Sequence, residues 1–260
     1  MLKHLFPNEL ALGFAQAGVT AVLAIVVGLF ARKRGIHVEW ETVVALVRGL
    51  AQIVAVGFIL VLMLKGPRWT STLMLSAMVL AAGVTSARRT KKLPGSFAVS
   101  FWSILVGSGS VIALMTWAGA IDGAITSIVP VGSMIIANAM NTSALALERF
   151  RSEVESHIGE IESALALGAA PEVSVSPEMQ KSFSASLIPA LNNLRSLGLV
   201  WIPGLMAGMV LSGSSPLYSA IYQFVVIAMI FGSSGLTALM CTTLIGKRIF
   251  TSVEQLAVVR

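Results

Sequence analysis

The stretch NELALGFAQAGVTAVLAIVVGLFARKR, residues 8–34, decides the class of this protein. Between Asn8 and Ala31 it carries one charge, Glu9, and it then closes on Arg32, Lys33 and Arg34. About 20 mostly apolar residues cross a bilayer as a helix, and this run is long enough. A secretory leader carries its basic residues ahead of the apolar run, whereas here they follow it. The run is therefore read as a membrane span and not as a cleaved signal peptide.

Six more apolar runs follow, over 43–64, 69–87, 96–118, 124–147, 196–213 and 217–245. The run at 196–213 is short and the last is long, which predicts tilt or a break in that pair. Composition agrees with seven spans. Hydrophobic residues make up 56% of the 260 and charged residues 12%, against roughly 25% charged in an ordinary soluble domain. That is too few charges to coat a soluble fold of this size.

The balance of charge is basic, +6 at pH 7. Lys and Arg sit in short clusters between apolar runs, the pattern of loops facing anionic lipid and not of a nucleic-acid patch. With the N-terminus placed outside, the cytoplasmic segments hold Arg32, Lys33, Arg34, Arg88, Arg89, Lys91, Lys92, Arg149, Arg151, Lys181, Arg195, Lys247, Arg248 and Arg260. The outer segments hold Lys3, Lys65 and Arg68. This asymmetry predicts an external N-terminus and a cytoplasmic C-terminus. Trp40, Trp69 and Trp117 fall near span ends as interface anchors, while Trp102 and Trp201 fall further in and are expected to pack.

One stretch, 148–195, is long, polar and cytoplasmic in this scheme. It holds most of the chain's acids, among them Glu148, Glu153, Glu155, Glu160, Glu162, Glu172 and Glu178. Val154, Ile158, Ile161 and Leu165 recur at helical spacing and predict one apolar stripe. Gly168 is placed to end that helix, with Pro171 soon after. Ser176 and Pro177 suit the cap and first position of a second helix running toward Leu187 and Pro189. Such a hairpin either stiffens a loop or docks a cytoplasmic partner. The run from Glu162 to Gly168 resembles the Glu-Ala-Ala loop by which ABC permeases meet their ATPase.

Within the spans the polar residues are few. Arg48 lies about 7 Å into the second run at helical rise, with Gln52 one turn on. The pair either snorkels to the interface or bonds at a subunit contact. The fifth run carries Pro130, Asn138, Asn141 and Thr142. Amides in hydrocarbon need partners, so this face is expected to point at protein or water, as interhelical glue or as a pathway lining. The sixth run holds Pro203 and Gly204, then Gly208, a small-xxx-small step suited to close packing or to a dimer. Met206 and Met209 lie between and beyond the glycines, as packing residues or soft metal ligands. Gln223 and the segment Gly232–Gly235 mark the seventh, the latter as a close contact or a flexible point.

Several chemistries lack their residues. There is no P-loop, no His-Glu-x-x-His and no Gly-x-Ser-x-Gly element. His4, His37 and His157 are scattered, and Cys241 is the single cysteine. No cofactor or catalytic site is expected on this chain, and a metal site is left open.

The elements Arg48-Gly-Leu-Ala-Gln52, Val129-Pro-Val-Gly-Ser-Met-Ile135, Asn138-Ala-Met140, Leu165-Ala-Leu-Gly168-Ala, Leu187-Ile-Pro189, Ile202-Pro-Gly-Leu-Met-Ala-Gly208 and Pro216 through Gln223 run nearly end to end. With them the sequence resembles the FetB-type ABC permeases, bacterial iron-export permeases to which plant aluminium-tolerance ABC membrane subunits are similar. The resemblance implies a homodimeric membrane subunit of a bacterial inner-membrane exporter linked to iron or metal homeostasis. It also implies a separate cytoplasmic ABC ATPase that binds ATP and Mg, met by a coupling helix within 148–195 through Ile158, Ile161, Glu162, Leu165 and Gly168. The expected architecture is an all-α bundle. Residues 1–147 form five spans, 148–195 the coupling segment, and 196–260 two further spans and a short tail. No carboxylate or histidine lies in the spans to hold a bare ferrous ion. Cargo is therefore left open between a chelated ion and an organic or lipidic molecule, as is an indirect link to iron. A stand-alone channel or a scaffold is the alternative reading.

Overall fold

The computed structural model describes residues 9–35, 37, 39–63, 67, 69–90, 93–250 and 256. The described residues are almost wholly helical: α1 Glu9–Lys33, α2 Glu39–Met63, α3 Trp69–Arg89, α4 Ser96–Trp117, α5 Ile125–Ser156, α6 Ile158–Ala166, α7 Pro171–Ser174, α8 Ser176–Ser196, α9 Gly204–Leu211 and α10 Pro216–Arg248. Of the residues used to orient the chain, Lys3, Lys65, Arg68, Lys91, Lys92 and Arg260 lie outside the described set, as does His4.

Six helices, α1 to α5 and α10, are long and apolar enough to cross a membrane. The protein is an integral membrane protein. The chain divides into two compact units, Met1–Gly66 and Pro67–Arg260. In the first, α1 and α2 pack on each other as a hairpin. They turn through Gly35 at φ +79°, a conformation that suits a residue without Cβ. None of the most apolar window of either helix is buried within the chain. That surface is built for hydrocarbon or for another protein.

In the second unit α10 is the central helix, in contact with α4, α5, α8 and α9. Its 33 residues span about 50 Å, well beyond the hydrocarbon thickness. Two apolar clusters fill the unit. One gathers Ile104, Ile135, Ala139, Val226 and Ile230. The other gathers Leu147, Phe150, Val154, Ile161, Ile245 and Ile249 at the end where α3 and α10 finish in Arg88, Arg89, Lys247 and Arg248.

A layer of hydroxyls ties the helices together. Ser86 Oγ of α3 lies 3.1 Å from both Ser100 Oγ of α4 and Ser143 Oγ of α5, and Ser143 lies 3.8 Å from Cys241 Sγ of α10. In hydrocarbon such bonds average about 0.6 kcal/mol each. Small residues set the spacing as well. A Cβ on Gly107 of α4 would overlap Thr237 Oγ1 and stand 2.8 Å from the Thr237 backbone nitrogen of α10. Helix contact this close requires glycine.

Three expectations change here. The run at 196–213 is not a spanning helix: α8 ends at Ser196, Leu197 to Pro203 form a bend, and α9 has eight residues. The predicted break is therefore complete. Neither Trp102 nor Trp201 packs inside: Trp102 is 52% exposed with an edge contact to Phe101 at 5.4 Å, and Trp201 is 40% exposed. The fifth run also extends further than hydropathy suggests, to Ser156. Glu148 and Arg149 lie on the exposed side of α5 while Leu147, Phe150 and Val154 stay buried, so amphipathic packing carries the helix past its apolar stretch.

Candidate functional site

The basic end of the second unit carries a helical hairpin. The apolar stripe read from the sequence exists but is split, because the helix breaks at His157, where φ is −118°. Val154 thus belongs to α5 and Ile161 to α6. Ile161 is fully buried in the cluster with Phe150, Val175 and Ile245, and Leu165 packs against it. Ile158 is half-buried. Gly168 ends α6 at φ +87°, with Ala169 N–H donating to Ala164 O at 3.0 Å. This closes the helix in a Schellman-type turn. Pro171 then opens α7.

Seated in this way, the hairpin turns a different set of residues outward. Glu160 and Glu162 are exposed, Leu167 is 90% exposed and Val173 is 65% exposed. Leu167 and Val173 were not singled out in the sequence. The signal that could have found them is the turn itself, since apolar residues flanking a positive-φ glycine between two short helices sit at its tip. Glu172 reaches Lys247 of α10 at 3.8 Å, and Glu153 reaches Lys181 of α8 at 3.4 Å. Both pairs are substantially exposed and add little stability.

From the hairpin, α8 runs along α5 and α10. It starts after Val175, which occupies the cap position in place of Ser176, with no side-chain cap bond, and it continues through Pro189 to Ser196. A Cβ at Gly246 would stand 2.7 Å from Met179 Sδ, so α8 is pressed closely to α10 near its start. At its far end Leu194 and Leu197 join the other cluster with Leu205 of α9. Together α8, the bend and α9 run antiparallel to α10 along its length, as a discontinuous crossing.

The bend exposes backbone that a helix would have satisfied. Gly198 sits at φ +76° and donates to Trp201 O at 3.0 Å. Pro203, buried, precedes α9 with extended φ and ψ. Gln223 of α10 then caps the short helix: Met206 N–H donates to Gln223 Oε1 at 3.2 Å. Gln223 is 2% exposed, and its Nε2 is buried without a partner. The hydroxyls of Ser233, Ser234 and Thr237 on the same helix are likewise buried and unpartnered among the described residues. Gln223, named from sequence as a pathway or contact residue, thus holds the broken crossing to the unbroken one.

Beside α9 lies a cavity of about 430 Å3 lined by Asp122, Pro130, Leu205, Met209, Tyr218 and Tyr222, among others. It opens at the end of the unit opposite the basic one. Met209, Pro130 and Tyr222, the last beside Gln223, were singled out in the sequence; Asp122 and Tyr218 were not. Met206 is half-buried in α9. Gly204 and Gly208 face open space, with nothing within 4 Å of an added Cβ, so their close-packing face is unused within this chain.

The remaining candidates are placed apart. Arg48 and Gln52 are exposed on α2 in the first unit. Asn138 is half-buried and returns its amide to Met134 O of its own helix at 2.9 Å. Asn141 is exposed while Thr142 is buried, so these three do not form one inward polar face. No group of three or more His, Cys, Asp or Glu able to hold a metal occurs among the described residues.

The arrangement defines a polytopic all-α membrane protein with one discontinuous crossing. The chain belongs to the uncharacterised protein family UPF0014, whose model matches residues 14–250. It is 31% identical over 255 residues to the rice protein named "UPF0014 membrane protein STAR2", covering 96% of this chain and 88% of that one. It is 27% identical over 259 residues to the Escherichia coli protein named "Probable iron export permease protein FetB", covering 99% and 98%. It is 26% identical over 246 residues to the Arabidopsis thaliana protein named "Protein ALUMINUM SENSITIVE 3", covering 94% and 90%. No solved structure matches the chain.

Proposed function

We propose that this chain is the membrane subunit of an ABC-type exporter. It works as a homodimer, with its N-terminus outside, driven by a separate cytoplasmic ATPase that carries the ATP and Mg. The observation that carries this reading is the hairpin α6–α7 and its continuation. It is anchored by Ile161 and Leu165 in the basic-end core, and it presents Leu167 and Val173 beside glutamates. It then feeds α8, which runs directly to the break before α9. A force applied to the hairpin therefore reaches the discontinuous crossing through one helix. The family relative named as a permease for iron export supports export of a metal-linked cargo.

The test is affinity purification of the tagged chain from native membranes in mild detergent. A P-loop ATPase is expected to co-purify in near one-to-one ratio. Leu167→Glu combined with Val173→Glu is expected to abolish that association while the membrane subunit keeps its melting temperature. An intact complex and unchanged transport in this variant would remove the hairpin from the coupling role. Flux from the chain alone in liposomes, without ATP, would instead point to a self-contained channel.

A further inference from the structure

We infer that the cavity beside α9 is a binding site for a small organic cation. Its contents decide the class of ligand. Asp122 is the chain's single aspartate, and among the described residues no Lys, Arg or His lines the cavity. The described wall therefore carries one negative charge and no positive one. Asp122 accepts from Ala124 N–H at 3.1 Å, which fixes the carboxylate at the turn into α5, and the residue remains exposed. Opposite it stand two phenol rings on consecutive turns of α10. Tyr218 and Tyr222 lie 6.2 Å apart between centroids with planes 27° apart, so they form one continuous aromatic wall. Leu205, Met209 and Pro130 supply apolar and polarizable surface around them.

Aromatic rings attract cations through their quadrupole, most strongly where water is partly excluded, and a nearby carboxylate adds a Coulomb term. The volume of about 430 Å3 is that of a site for an organic molecule. A bare divalent ion would need several oxygen or nitrogen ligands converging within bonding distance. Beside Asp122 the described lining offers only the neutral hydroxyls of Thr126, Ser127, Tyr218 and Tyr222, with no second carboxylate, His or Cys. A molecule with a substituted ammonium group and some apolar bulk matches both the charge and the wall.

The position of the site gives the inference its further content. The cavity borders α9, the short helix beyond the break, through Leu205 and Met209. Met206, between them, is the residue held by Gln223. Movement of α9 therefore changes the cavity wall itself. That this ligand is the transported cargo rests on the exporter reading; that the site binds it does not.

The test separates the two. The full chain in nanodiscs is titrated with radiolabelled choline, with tetramethylammonium as competitor and no ATPase or ATP present. Saturable binding is expected. Asp122→Asn, which keeps the turn's hydrogen-bond acceptor, should weaken it roughly tenfold or more. Tyr218→Leu with Tyr222→Leu should do the same. Tyr218→Phe with Tyr222→Phe keeps the ring faces and should hold affinity within about threefold. Absence of saturable binding to folded protein would overturn the inference. So would binding that survives Asp122→Asn. Tight ferric-ion binding that the Phe pair abolishes would overturn it in favour of a phenolate metal site. Failure of ATPase co-purification would leave the binding result standing and remove only the cargo role.

Discussion

The last two apolar runs, 196–213 and 217–245, look alike by hydropathy yet fold differently. One becomes a bend and an eight-residue helix, the other part of a helix of 33 residues. The first carries four glycines, Gly198, Gly204, Gly208 and Gly213, and the second two, Gly232 and Gly235. The first holds Pro203, which cannot donate to the ladder, and Gly198, held at positive φ. The second holds Gly232 and Gly235 with open space around both, and its intervening Ser233 and Ser234 are buried against neighbours. A helix in a membrane tolerates glycine on its open face where the residues between, here Ser233 and Ser234, pack on the other face. It breaks where a donor is missing and another helix supplies the replacement bond.

The strongest way to break the unbroken helix's side of this comparison is at its closest contact. Gly107→Val drives a side chain into Thr237 and should cost about 3 kcal/mol, as overpacking does. A thermal melt of the detergent-solubilised chain, with a large drop in midpoint, is the expected result. An unchanged melt would mean that α4 and α10 are not held this closely. A smaller and more local effect is expected at the broken crossing. Gln223→Leu strips the acceptor from Met206 N–H, at about 1–3 kcal/mol for the orphaned donor. Amide exchange should rise across residues 204–211 while the middle of α10 stays protected; uniform exchange across both would contradict the capping role. The smallest change sharpens the role of the hydroxyl layer. Ser86→Ala removes two side-chain bonds and should cost about 1 kcal/mol. A loss several times larger would show the layer acting as a network and not as independent pairs.

Much of the fold was legible because hydrocarbon imposes length and composition together. The runs at 69–87 and 96–118 match α3 and α4 to within two residues. Legibility failed where the solvent changed along one helix. Charged Glu148 and Arg149 ended the fifth run on hydropathy, though Phe150 and Val154 continued its buried face. The hairpin's stripe and its terminating glycine were readable, since both depend on local spacing. The direction in which that stripe faces was not, because it depends on a cluster drawn from α4, α5 and α10. The cavity was hidden for the same reason. Asp122 stands about a hundred positions from Tyr218 and Tyr222, and each reads alone as an interfacial residue.

Gly246 has a mechanical consequence. Because Met179 is pressed against it, α8 meets α10 near a fixed fulcrum at its first turn. From Met179 to Ser196 the helix extends about 26 Å. Tilting it by about five degrees about that fulcrum sweeps its far end through about 2 Å, the scale of the helix shifts that proteins use as switches. The hairpin lies on the short arm of this lever and the bend on the long one. Pro189, within this helix, leaves one rung of it unbonded, the kind of position at which helices bend.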